Sequence, residues 1–113
     1  MRAALLLLLV GCFDDGTTID QYPCPPGGTQ LTYENFGGDF MSRYCERCHA
    51  GNSPNRMGAP PDYVFDTHAE VFAARDRIFA NAAADNTSMP PGPDDPPKVE
   101  RDKLAEWLAC GAP

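Results

Sequence analysis

Two thiols and an imidazole stand within five consecutive residues, Cys45-Glu46-Arg47-Cys48-His49. With two residues between them, the cysteines lie about one helical turn apart, so both sulfurs face the same side. This is the CxxCH pattern by which c-type haem is attached. One turn lets both thiols add to the two vinyl groups of one porphyrin edge. The adjacent His49 then sits under the iron, and its neutral imidazole becomes the proximal ligand. Two rival chemistries use similar residues. A zinc site needs a second Cys or His pair at ligand spacing, whereas Cys24, Cys110 and His68 are scattered singly. A thioredoxin-like redox pair needs a βαβ context, and the sequence offers none.

The remaining cysteines suggest export. Met1-Arg2 followed by the apolar run Ala3 to Val10 is too short to span a bilayer and fits a signal peptide. Leu9-Val10-Gly11-Cys12 resembles the bacterial lipobox, which implies cleavage after residue 11 and a diacylated Cys12. Several acyl chains make a stable anchor, each buried methylene contributing about 0.8 kcal/mol. Phe13, not an acidic residue, follows Cys12. With Cys12 lipidated and Cys45 and Cys48 on haem, Cys24 and Cys110 remain as an even pair in an oxidising compartment. We expect a disulfide between them; two unpaired thiols are the alternative.

The chain has 113 residues, a net charge of −7, 12 prolines, 10 glycines and 10% aromatics. That is room for one small domain, which gains from an added source of core such as a haem. Lys and Arg do not cluster, so nothing replaces phosphate counterions and nucleic acid is not an expected partner. An acidic carrier is steered towards basic redox partners instead.

The elements that would position the motif are helices. Residues 1–11 read as the signal peptide, 12–31 as the lipidated N-terminus and a Pro/Gly-rich tether, and 32–113 as the domain. A free tether of that length averages roughly 25 Å end to end. A first helix is expected over Thr32–Tyr44, capped by Thr32, with Tyr33, Phe36, Phe40, Met41 and Tyr44 as its apolar stripe and Gly37 on the same face. It runs straight into Cys45. A second is expected from Thr67 to about Ala83, opened by the capping box Thr67-His68-Ala69-Glu70 and carrying Val71, Ala74, Ile78 and Ala82 inward. A third spans Pro97 to Cys110, with Leu104, Trp107 and Leu108 buried and Gly111 at the stop position. Nothing alternates as a strand would, so the fold class is all-α: about three helices with long ordered loops.

From Leu31 to Pro113 the chain resembles the class I cytochrome c family, particularly small bacterial domains ending in an MPP … WL-C-GAP segment. The likeness rests on YCERCHAG, Ser88-Met89-Pro90-Pro91 and WLACGAP. It implies a cytochrome c-like fold around one covalent haem c, with Gly37 and Trp107 at a crossing of the first and last helices. It also implies a proline carbonyl, Pro60, accepting a hydrogen bond from His49. The sixth ligand is expected to be Met89, 40 residues beyond His49, enough chain to return on the opposite haem face. The other reading of Met89 is a loop methionine filling a gap. Methionine–histidine ligation raises the potential relative to many axial sets. Met41 reads as core, Met57 as loop lining, and His68 as a surface residue of a capped helix. Arg56, Arg75 and Arg77 read as solvated charges rather than propionate partners. The expected role is therefore single-electron transfer by a periplasm-facing lipoprotein, without catalysis. The alternatives are a haem-bearing subunit of a larger envelope oxidoreductase, or a small peroxidase-like or sensory haem domain.

Overall fold

The computed structural model describes residues 16–113. The expected signal peptide, residues 1–11, and Cys12 lie outside the described residues. Among the described residues the fold is all-α, with three main helical arms and no strand.

The first arm begins where the sequence signals it. Thr32 Oγ1 accepts from the Asn35 amide at 3.1 Å, and Asn35 Oδ1 accepts from the Thr32 amide at 2.7 Å. Tyr33–Gly37 then winds as a π-helical turn, because the Phe36 and Gly37 amides both donate to the Thr32 carbonyl. The helix continues as α1 (Gly38–Tyr44) and, after a bend at Cys45, as α2 (Glu46–His49).

The second arm is divided. The capping box at Thr67 opens α3 (His68–Ala73), and α4 (Arg75–Ala82) follows after a break at Ala74. The periodicity predicted one unbroken helix. At the break Arg75 Nη1 donates to the Phe72 carbonyl at 3.0 Å, a side-chain partner within the backbone ladder. The arm also ends one residue early: Ala83 is extended and Ala84 turns left-handed at φ 55°.

The third arm, α5 (Lys98–Ala109), lies between Pro97 and Cys110 as its caps. Gly111, at φ 93°, ends it in a conformation that glycine adopts without strain. Arg101, Leu104, Ala105, Trp107 and Leu108 are buried along it. α5 packs mainly on α4. It also meets the first arm at Gly37, where a Cβ would come within 2.4 Å of the Trp107 ring. Only glycine permits this approach. The Gly37–Trp107 crossing implied by the resemblance is present.

Cys24 and Cys110 are joined as a disulfide, closing a sequence separation of 86 residues. The segment read as a tether is docked well before Cys24. Ile19 and Tyr22 pack against the core, and Tyr22 lies 5.6 Å from the Phe79 ring. Asn86, buried, donates to the Thr17 carbonyl at 2.7 Å. The apolar residues at 19 and 22 hold down a stretch whose prolines and glycines read as free chain. Among the described residues, no helix is long and apolar enough to cross a membrane.

Candidate functional site

The bend at Cys45 sets the chemistry. The amides of Cys48 and His49 both donate to the Cys45 carbonyl, at 3.2 and 2.9 Å, so the CxxCH segment forms a single tight turn. Cys45 and Cys48 are free thiols, half-buried. Both line a cleft of about 330 Å³, together with His49 and Met89. That volume lies at the lower end of the range for cofactor and small-molecule sites. The other walls come from Tyr44, Tyr63 and Phe65, from Ile78 and Ala82 of α4, and from Met57, Pro60, Pro90 and Pro91 in the loops. The four residues singled out in the sequence therefore share one cavity, although 40 residues separate His49 from Met89.

His49 is oriented. Its Nδ1 lies 2.8 Å from the Tyr63 carbonyl, and its ring stacks on Phe65 with centroids 4.5 Å apart. A carbonyl only accepts, so Nδ1 carries a proton, and in the neutral ring the lone pair then resides on Nε2. The expected acceptor was the Pro60 carbonyl. That oxygen instead takes a bond from Arg56 Nη2 at 2.9 Å, and Tyr63, three residues on, supplies the acceptor for His49. A backbone carbonyl has no sequence signature within a Pro-rich loop.

Arg56 is not a solvated charge. Its guanidinium donates to the carbonyls of Ala50, Pro60 and Tyr63 at 2.9, 2.9 and 3.1 Å, fastening the loop after the motif. Its Nε is buried without a partner, and the residue lines the cleft. An orphaned donor beside a cavity is a place for an anionic acceptor on whatever fills it. Arg77 also lines the cleft, with its guanidinium 5.6 Å from the Tyr63 ring centroid, whereas Arg75 lies over the Phe72 ring at 4.3 Å. Arg43 and Arg47 reach the rim and pair with Asp39 and Asp94 at 2.9 and 3.8 Å. These exposed pairs add little stability.

Burial pushes the Cys45 thiol up to about 12, with the Glu46 carboxylate reinforcing the shift and the Arg101 cation opposing it. The sulfur is thus a neutral thiol at ordinary pH. Thioredoxin-like cysteines have the opposite bias, since their reactivity depends on a lowered pKa. Among the described residues, no three His, Cys, Asp or Glu side chains group as a metal site.

No family model, curated protein or solved structure matches the chain.

The other candidates lie away from the cavity or at its edge. Met41 is fully buried in the core, as its stripe position predicted, and Met57 is exposed at the cleft's rim. His68 is not a surface residue. It is half-buried, its Nε2 donates to the Ala112 carbonyl at 2.7 Å, and it stacks on Tyr33 at 4.5 Å. Sequence reasoning passed over Arg101, which is 4% exposed on α5. The signal was available, because residues 101, 104 and 108 share one helical face and two of them are leucines.

Proposed function

We propose that this chain is a single-haem c-type cytochrome of the cell envelope, cytochrome c-like in fold, which transfers single electrons between redox partners. The observation that carries the reading is the convergence of Cys45, Cys48, His49 and Met89 on one largely apolar cleft, with His49 Nε2 left free by its Nδ1 bond.

The residues present suit a haem. Two thiols one turn apart would hold one porphyrin edge, and His49 Nε2 and the Met89 thioether would be the iron ligands. A haem bound there supplies reversible one-electron exchange between ferrous and ferric iron. The chain's own residues do the rest. Tyr63 and Phe65 fix the plane of the imidazole, Ile78 and Ala82 exclude water from the cleft wall, and Arg56 Nε offers a donor to a propionate. With His49 and Met89 both held by the iron, no site would remain for substrate, and the role would be carriage rather than catalysis.

Cys12 would carry the acyl anchor, placing the domain at a periplasm-facing membrane surface. At long range the net charge of −7 favours encounter with basic partners.

The test is protein matured in a host that attaches c-type haem. We expect a pyridine-haemochrome spectrum typical of two thioether bonds, an intact mass increased by one haem, and a methionine-to-ferric charge-transfer band. Free or mutually disulfide-bonded Cys45 and Cys48 in that material would refute the proposal. Covalent haem without the band would instead favour an open-coordinate, peroxidase-like or sensory domain.

A further inference from the structure

Met89 lines the cleft with a side chain that packs little: the residue is 42% exposed. Its backbone, by contrast, is held at both ends. The Met89 amide donates to the Asn81 carbonyl of α4 at 2.8 Å, and the Met89 carbonyl accepts from Arg101 Nη1 of α5, also at 2.8 Å. The same nitrogen lies 2.8 Å from the Ala82 carbonyl and 3.0 Å from the Asn86 carbonyl. Arg101 therefore gathers the two ends and the middle of the chain that leaves α4 and delivers Met89. The chain returns the contact, since the Ala84 amide donates to the Arg101 carbonyl at 3.0 Å.

A guanidinium this deeply buried is costly unless its donors are satisfied. Among the described residues, no carboxylate lies within 4.0 Å of it. Its acceptors are these carbonyls, which leaves its positive charge uncompensated. A leucine at this position, matching Leu104 and Leu108, would fill the same helical face without that cost, but it would leave three carbonyls without their donor.

We propose that Arg101 is the positioning residue for the Met89 thioether, its buried guanidinium holding the Ala82–Met89 segment so that the sulfur stays at the sixth ligand position. The inference rests on the haem reading above and adds to it. Because the clamp acts on backbone carbonyls, it sets how often the segment opens, and hence how fast an outside ligand replaces the sulfur. In that exchange the sulfur–iron bond breaks and an imidazole nitrogen–iron bond forms. The iron remains ferric and no electron moves. The unpaired charge has a second effect: a nearby cation disfavours the more positive, oxidised state, so it raises the potential.

The two effects separate by substitution in the haem-loaded full chain. Arg101→Lys keeps the charge but is one atom shorter than the arm whose single Nη1 reaches all three carbonyls. Arg101→Gln removes the charge as well. With imidazole as the probe, we expect displacement of the charge-transfer band to quicken roughly 10- to 100-fold in both variants, the range for losing hydrogen bonds from a charged donor. The potential should fall in Arg101→Gln and change much less in Arg101→Lys. Lys103→Gln, at an exposed position on the same helix, should match the parent. If Arg101→Gln does not fold, Arg101→Lys carries the test through the displacement rate alone. Displacement at the parental rate in a folded Arg101 variant overturns the proposal. Absence of the charge-transfer band in the parent overturns the Met89 assignment itself, a distinguishable failure.

Discussion

Around Trp107 the protein finishes its own packing. The indole is fully buried, lies 6.1 Å edge-on from Phe36, and presses on Gly37 so closely that no Cβ fits. Its Nε1 donates to the Pro113 carbonyl at 3.1 Å, and the Cys24–Cys110 disulfide ties the end of α5 to the N-terminal segment. Around Cys45 the first arm and α4 present apolar side chains to a cleft of about 330 Å³, and Met57 and Met89 stand exposed at its edge. Two halves of one small core thus end differently, one against protein and the other against a space. A domain of this size gains little margin from burial alone. Leaving apolar walls uncovered makes physical sense when something else is to cover them. If the proposed haem fills that space, the α5 half should fold without it, while the cleft half depends on it.

The largest effect should come from opening the closed half. Replacing Cys24 and Cys110 by serine frees a loop of 86 residues of separation. In the chain-entropy model this costs about 4 to 5 kcal/mol. Denaturant unfolding of the haem-loaded protein should show the loss as a lower midpoint, with the native haem spectrum unchanged. A spectrum altered before unfolding would show that the halves are not separable.

A smaller loss should follow at the crossing. In Gly37→Ala the new methyl would lie 2.4 Å from Trp107 atoms, well inside contact distance. Overpacking of this kind costs about 1 to 3 kcal/mol. Pairing it with Trp107→Phe, which withdraws the crowded ring edge, should return part of that loss as a favourable coupling in a double-mutant cycle. Additive effects would mean that the methyl is absorbed elsewhere and the crossing is softer than its geometry implies.

What could be read from the sequence follows the same division. Caps are local, so Thr32 and Thr67 marked helix starts that hold. CxxCH is local too, and setting aside Cys12, Cys45 and Cys48 left Cys24 and Cys110 as the expected pair, which the disulfide bears out. The Gly37–Trp107 contact spans 70 residues and came only from family resemblance. Three features stayed hidden because they depend on backbone oxygens, which every residue carries: the Tyr63 carbonyl on His49, the break at Ala74 and the carbonyls gathered by Arg101. The docking of residues 17–22 was missed because Pro and Gly nearby outweighed two apolar side chains in the reading. Side-chain chemistry was legible; which carbonyl receives it was not.

The smallest predicted effect lies on the border between the halves. Tyr33 stacks on His68 at 4.5 Å and belongs to the closed side. Its phenol is pushed above its usual 10.0, first by burial and then by Glu46 of the CxxCH segment, Asp66 and Glu70. The neutral form is therefore favoured in the folded state. As pH rises past 10.0, the unfolded chain releases this proton while the folded chain keeps it. Stability contributed by Tyr33 is thus complete below that pH and declines above it, until the folded phenol ionises as well. Tyr33→Phe should flatten the alkaline fall in stability and remove one tyrosinate step, above 10.0, from the ultraviolet titration. Neutralising Glu46 as Glu46→Gln should move that step downward by less than the burial shift that remains. If Glu46→Gln restores the usual value completely, charge from the cleft side dominates, and Tyr33 belongs electrostatically to the open half.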